Sequence, residues 1–89
     1  PTMAQLAELA SQMYVGNPTI GAKEDKRDIQ YDPNSPVSKA LGLTPWFFLW
    51  SGEEYSSHVA YFREVGTTYS YWNRNDRDGS TPQAVCLGE

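Results

Sequence analysis

Hydrophobic positions in the first fifteen residues recur at intervals of three and four, which is the spacing of one face of an α-helix. These positions are Met3, Leu6, Ala7, Ala10, Met13 and Tyr14. Thr2 followed by Gln5 matches a capping box, and Gly16 followed by Pro18 interrupts the pattern. The sequence therefore predicts an amphipathic helix over residues 3–15.

The following segment, residues 16–36, is polar and rich in turn-forming residues, so it is predicted to be a connection. Residues 22–28 carry charges of both signs and are expected to lie in solvent. Residues 29–31, with the sequence IQY, have the composition of a short edge strand.

A short second helix is predicted over residues 36–41. Ser35 suits the N-cap, Pro36 suits the first helical position, and Gly42 suits the C-terminal stop. The side chains expected to face the core are Val37, Ala40 and Leu41.

The hydrophobic pattern changes at residue 46. WFFLW at 46–50 is a continuous apolar run of strand length, typical of a central strand covered on both faces. Residues 51–54, SGEE, read as a turn. Residues 57–64 then alternate with a period of two, as do residues 67–72.

In the first alternating strand, Val59 and Tyr61 are predicted to face one side, and Ala60 and Phe62 the other. In the second, one face holds Thr68, Ser70 and Trp72 and the other holds Thr67, Tyr69 and Tyr71. Residues 73–79 are predicted to form a polar loop. Residues 80–87 are predicted to form a last strand, which Pro82 restricts to a sheet edge.

Together these elements predict a single domain over residues 1–89 of the α+β class. An N-terminal amphipathic helix, with a short second helix, would pack on an antiparallel sheet of three to five strands.

The 89-residue chain has 7 Lys and Arg, 11 Asp and Glu and a formal net charge of −4. Because phosphate and anionic lipid attract clustered basic residues, this balance argues against nucleic-acid and membrane partners. The single Cys excludes an intrachain disulfide, and no signal or membrane segment is visible. These features favour a cytoplasmic location over secretion. No motif for a metal, nucleotide or other cofactor is present.

Aromatic residues make up 13% of the chain and concentrate in its second half. Tyr and Trp are enriched at protein interfaces because each joins a large apolar body to a hydrogen-bonding group. The candidate binding residues are Trp46, Trp50, Tyr55, Tyr69, Tyr71 and Trp72. The same rings could instead fill a small core.

Acid–base chemistry would start from the single histidine, His58, because histidine titrates near neutral pH. Glu54 as base, His58 as acid and Arg63 as the stabiliser of developing charge could cleave a phosphodiester. A peptidase-like alternative makes Cys86 the nucleophile and His58 its base, with an orienting side chain from Asn73, Asn75 or Asp76. Residues 73–80 do not match a calcium-binding loop.

The hypothesis favoured by these patterns is a small acidic protein-interaction module of the adaptor, accessory or inhibitor type. Its expected partner is a protein, including a second copy of the chain bound through an aromatic sheet surface. A small hydrolase centred on His58 is the enzymatic alternative. A carbohydrate-binding domain that uses exposed Trp and Tyr rings is the third.

Overall fold

Two helices and five strands form the described part of the chain, in a computed structural model that describes residues 1–76 and the backbone of residues 84–86. In chain order they are α1 (Met3–Ser11), β1 (Lys26–Arg27), α2 (Pro36–Leu41), β2 (Phe47–Glu54), β3 (Val59–Val65), β4 (Tyr69–Asp76) and β5 (Ala84–Cys86). The strand order in the sheet is β1-β4-β3-β2-β5. The first four strands pair antiparallel, whereas β5 runs parallel to β2. The predicted α+β class and antiparallel sheet are confirmed.

The capping box at the start of α1 forms as predicted. The Thr2 hydroxyl accepts from the Gln5 amide at 3.1 Å, and the Gln5 side chain accepts from the Thr2 amide at 2.8 Å. The helix ends at Ser11, however, and not at residue 15.

Tertiary pairing ends α1 early. Tyr14 forms an isolated antiparallel bridge with Tyr31, and the Asp32 amide donates to the Met13 carbonyl at 2.7 Å. Hydrogen bonds to a distant segment thus replace the last helical turn, while Met13 and Tyr14 remain buried. The predicted edge strand at 29–31 is wrong: the edge strand is β1, and Tyr31 forms an isolated bridge with Tyr14. The Ile29 and Tyr31 amides donate to the Thr68 and Thr67 carbonyls at 3.3 and 2.8 Å.

The hydrophobic core lies between α1 and one face of the sheet. Phe47 and Leu49 of β2 and Val65 of β3 are fully buried there. From the helix and the segment after it, the core receives Met3, Leu6, Ala7, Ala10, Met13, Tyr14 and Ile20. The predicted apolar stripe of the first helix therefore covers the sheet.

Helix α2 matches its predicted bounds. The Ser35 hydroxyl accepts from the Ser38 amide at 3.0 Å, and Gly42 ends the helix with a φ of 64°. Val37 and Leu41 pack against the core on the α1 side of the sheet. Ala40 is exposed, so its predicted core position is wrong.

The predicted turn at 51–54 is wrong, because β2 continues to Glu54. Its register slips: Trp50 pairs with Phe62 and Glu54 with Ala60, so three residues of β2 face one residue of β3. The Ser51 hydroxyl donates to the Tyr61 carbonyl at 2.7 Å, and the Gly52 amide donates to the Pro1 carbonyl at 2.8 Å. The first bond satisfies a β3 carbonyl opposite the bulge and the second satisfies an amide within it, and residues 55–58 form the turn instead.

The polar loop predicted at 73–79 is also wrong over its first half. Residues 73–76 extend β4 and pair with β3 as far as Val59. Residues 77–79, and residues 80–83 and 87 of the predicted last strand, lie outside the described residues. No described helix has the length and apolar character needed to cross a membrane.

Tyr14 ties the segment after α1 to the β3–β4 hairpin. Its buried hydroxyl lies 2.8 Å from the Gly66 carbonyl and 2.7 Å from the Tyr69 carbonyl. Burial raises the pKa of Tyr14 and keeps the hydroxyl protonated as a donor, although Ser70 and Gly66 oppose this shift.

Tyr14→Phe is expected to lower the free energy of unfolding by about 1–2 kcal/mol, because the buried Gly66 carbonyl loses this donor, whereas the Tyr69 carbonyl still accepts from the Gly66 amide. Urea unfolding followed by tryptophan fluorescence measures this change. Tyr31→Phe is the matched control, since its hydroxyl bond to the Leu43 carbonyl is longer, at 3.3 Å. An effect of Tyr14→Phe no larger than that of Tyr31→Phe would contradict the prediction.

Candidate functional site

The sheet face opposite α1 carries a continuous group of aromatic side chains. Directly paired residues of antiparallel strands share a face, so Phe48, Trp50 and Phe62 lie together, away from the core residues Phe47 and Leu49. The pairing of β3 with β4 adds two tyrosines to this face. The aromatic face is defined by Trp46, Phe48, Trp50, Phe62, Tyr69 and Tyr71.

The centre of the aromatic face is a stacked pair of phenylalanines. The rings of Phe48 and Phe62 lie 4.4 Å apart at an interplanar angle of 21°, and both are buried. Trp46 packs edge-on against Phe48 at 5.1 Å, and Trp50 packs against Phe62 at 5.3 Å. Trp46 keeps 42% of its surface exposed. The exposed indole of Trp46 thus packs on a pair of buried phenylalanine rings.

Glu64 of β3 lies between Trp46, on the β2 side of the aromatic face, and the two tyrosines on its β4 side. Its carboxylate accepts a hydrogen bond from the Trp46 indole nitrogen. Burial, together with the neighbouring Glu64 carboxylate, raises the pKa of Tyr69. Glu64 therefore orients the tryptophan on one side of β3 and lies close to the tyrosine on the other.

The tyrosines of the aromatic face are also held in place. Tyr69 and Tyr71 pack at 4.6 Å, and the Arg27 guanidinium lies 5.0 Å from the centre of the Tyr71 ring. A Cβ atom on Gly66 would lie 2.4–2.7 Å from Tyr69 ring atoms, so only glycine lets this ring pack directly on the hairpin.

Two of the six predicted binding residues lie elsewhere. Trp72 and Tyr55 pack around Tyr61, at 6.0 Å and 6.1 Å, in a cluster on the α1 side of the sheet. The Lys23 ammonium lies 4.3 Å from the Tyr61 ring centre, and the Arg74 guanidinium lies 4.1 Å from that of Tyr55. Cations of the chain itself thus stack on these rings. The structure brings together only Trp46, Trp50, Tyr69 and Tyr71.

The structure separates Arg63 from the other two residues of the hydrolase hypothesis. His58 is exposed in the turn between β2 and β3, and Glu54 is exposed at the end of β2. Arg63 is fully buried and lies five residues beyond His58, roughly 16 Å along an extended strand. This arrangement does not offer the guanidinium to a substrate bound at His58.

Arg63 instead holds the loop before β1. One terminal nitrogen donates to the Glu24 carbonyl at 2.7 Å, and the other donates to those of Gly21 and Ala22 at 2.9 and 3.0 Å. Burial lowers the pKa of Arg63, and Asp25 opposes that shift most strongly. Its Nε atom is buried without a partner among the described residues. The contacts give this residue a structural role.

The peptidase-like set is described only in part, because the Cys86 side chain lies outside the described residues. The side-chain oxygens of Asn73 and Asn75 each accept from the amide of the next residue, at 2.8 Å. Among residues whose side chains are described, no group of three or more His, Cys, Asp or Glu is placed to hold a metal ion.

Sequence reasoning missed two residues of the aromatic face, Phe48 and Phe62, and the carboxylate beside them, Glu64. The period-two alternation over residues 57–64 already placed Phe62 with Ala60, and one further step along the same face reaches Glu64. The available signal was a carboxylate that follows Phe62 on the same face of one strand. The ring that it contacts could not be read from that strand alone.

Comparisons with protein-family models, with curated proteins and with solved structures found no significant match to this chain.

Proposed function

We propose that this chain is a small protein-interaction module that binds another protein through its aromatic face. The observation that carries the proposal is the Trp46 side chain, which is 42% exposed yet held in one orientation by Glu64 and Phe48. An indole that is ordered before binding loses little further conformational entropy in a complex.

The surroundings of Trp46 support the same role. Residues that dominate binding energy are enriched in Trp, Tyr and Arg and occupy the centre of an interface. Trp50, Tyr69 and Tyr71 are half-buried around the Phe48–Phe62 stack, and Arg27 packs on Tyr71. Both helices lie on the opposite side of the sheet.

Charge favours a basic rim on the partner. The pairing of Glu54 with Ala60 places this residue on the aromatic face, together with Glu64. The Arg27 guanidinium also lies on this face, and the whole chain has a net charge of −4, which a partner rich in Lys and Arg would complement. The proposed partner therefore presents an apolar patch surrounded by Lys and Arg.

Trp46→Ala is expected to weaken partner binding by about 30-fold, because truncation of a central anchor typically costs about 2 kcal/mol or more. Tyr55→Ala is the matched control: its ring is 55% exposed but belongs to the cluster on the α1 side. The wild type, Trp46→Ala and Tyr55→Ala are each used as bait, and the proteins that they capture are identified. Each captured protein is then purified, and its affinity for the three baits is measured by titration calorimetry. Circular dichroism confirms that the variants fold.

A protein captured by the wild type and by Tyr55→Ala, but not by Trp46→Ala, supports the proposal. Its affinity should also fall as salt is raised, because the charged rim is screened. Equal binding to all three baits would place the interface elsewhere. Self-association lost only in Trp46→Ala would identify a second copy as the occupant of this face.

A further inference from the structure

Glu64 places a carboxylate among aromatic rings. It pairs with Phe48 on one side and Tyr71 on the other, so it lies within the aromatic face, and its side chain is half-buried. Its carboxylate accepts from the Trp46 indole nitrogen, and Tyr69 lies close to the same group. Both neighbours are neutral, and no cationic side chain of the described residues forms an ion pair with Glu64. The aromatic face therefore presents a negative charge to a ligand.

The exposed indole of Trp46 lies beside this carboxylate. An indole N–H bond points outward in the plane of the ring, so the Glu64 carboxylate lies at the rim of the indole and not over its faces. Phe48 packs against Trp46 at an interplanar angle of 89°, and 42% of the Trp46 surface remains exposed. A ligand can thus contact the exposed indole surface and the carboxylate at the same time.

This arrangement fits a guanidinium better than an ammonium. A guanidinium is flat, packs on aromatic rings and carries N–H donors along its edge that match a carboxylate. An ammonium is a compact point charge, with no flat surface to lay on the ring while it donates to a carboxylate at the rim. The chain packs two of its own guanidinium groups on rings: Arg27 lies 5.0 Å from the centre of Tyr71, and Arg74 lies 4.1 Å from that of Tyr55.

We propose that the aromatic face binds an arginine side chain of the partner protein, with the guanidinium packed on the Trp46 indole and donating to the Glu64 carboxylate. This inference rests on the proposed function and names one residue of the partner's basic rim. Charge complementarity carries it, because Glu64 is bonded to the exposed indole itself. Arginine and tryptophan are also among the residues that contribute most to binding energy at interfaces.

Blocked amino acids test the arginine site before any partner is known. N-acetyl-arginine methylamide is titrated into the protein, and NMR follows the Trp46 indole N–H resonance, which is assigned by its absence in Trp46→Ala. The citrulline analogue has nearly the same shape without the charge, and the lysine analogue has the charge without the flat group. Both should bind at least about fivefold more weakly than the arginine probe. The lysine analogue also controls for ionic strength.

Two carboxylate variants locate the charge that the probe recognises. Glu64→Gln keeps an oxygen acceptor for the Trp46 indole but removes the charge, so it should weaken arginine binding by about fivefold. Glu54→Gln is the matched control on the same face. Glu54 pairs with Ala60, which lies roughly 13 Å from Glu64 along β3, so this variant should change the affinity by less than about twofold. Circular dichroism checks that both variants fold.

A saturable shift of the Trp46 indole resonance, strongest with the arginine probe and weakened by Glu64→Gln but not by Glu54→Gln, supports the proposal. Absence of a shift with the arginine probe overturns it. So does equal binding of the three probes, or equal binding by Glu64→Gln and the wild type. The bait experiment with Trp46→Ala judges the proposed function separately, because a protein lost only in that variant would uphold the interaction module even if the arginine probe did not bind.

Discussion

Arg63→Leu is expected to lower the free energy of unfolding by about 3 kcal/mol, although Arg63 lies in none of the described interaction surfaces. Its guanidinium donates to the carbonyls of Gly21, Ala22 and Glu24 from a fully buried position. Each carbonyl left without a donor costs about 1–3 kcal/mol if it remains buried, and movement of the loop into water recovers part of this cost. Urea unfolding followed by tryptophan fluorescence measures the loss.

Two arginine variants serve as controls for this effect. Arg63→Lys keeps the charge but presents its donors from one nitrogen, so it should recover only part of the lost stability. Arg74→Leu removes an exposed arginine of the neighbouring strand and should change stability by less than about 1 kcal/mol. Equal free energies of unfolding for Arg63→Leu and Arg74→Leu would contradict the structural role assigned to Arg63.

Phe47→Ala is expected to cost about 3–5 kcal/mol, because Phe47 is fully buried between the sheet and α1 and its truncation leaves a cavity. Small domains have a total stability of about 5–15 kcal/mol, so the variant should lie close to unfolding at room temperature. Thermal and urea unfolding both measure the change.

Trp46 provides the comparison for Phe47, since these adjacent residues occupy opposite faces of the sheet. Trp46→Ala removes an exposed ring with one indole hydrogen bond, and its cost to stability should be about 1–2 kcal/mol. Its main consequence should be loss of binding. A stability loss as large as that of Phe47→Ala would mean that Trp46 belongs to the core.

These predictions separate two uses of aromatic residues in one short segment. Phe47 and Leu49 close the core under α1, whereas Trp46, Phe48 and Trp50 build the aromatic face. Strand alternation produces both surfaces from five consecutive apolar residues, 46–50. The continuous run predicted a central strand covered on both faces. Strand β2 lies between β3 and β5 as a central strand does, but among the described elements the helices cover only the face of Phe47 and Leu49, and Trp46 on the other face keeps 42% of its surface exposed.

Features that depend on a few neighbouring residues were predictable from the sequence. The capping box of α1, both ends of α2 and the two-residue alternation of β3 and β4 all agree with the structure. Each is decided by hydrogen bonds or side-chain directions within one or two turns, or along one strand. Local sequence carries that information completely.

The candidate site needed more than local pattern. Six aromatic residues were candidates for binding, but four share the aromatic face, and Tyr55 and Trp72 pack on the other side. Strand pairing decides this division, because the register sets which residues of different strands face the same way. Glu64 gains its role from the same register, since its contact with Trp46 crosses from β3 to the residue before β2.

The sequence by itself determined the fold class, the apolar stripe of the first helix and the alternation of the central strands, because each follows from local spacing. Only the tertiary structure decided that residues 51–54 continue β2, that α1 ends at Ser11 and that Arg63 is a buried structural cation. In each of these cases the backbone or side chain bonds to a segment far away in the chain: Pro1 for β2, residues 30–32 for the end of α1, and residues 21–24 for Arg63. Such partners are brought near only when the whole chain folds, so local spacing could not reveal them.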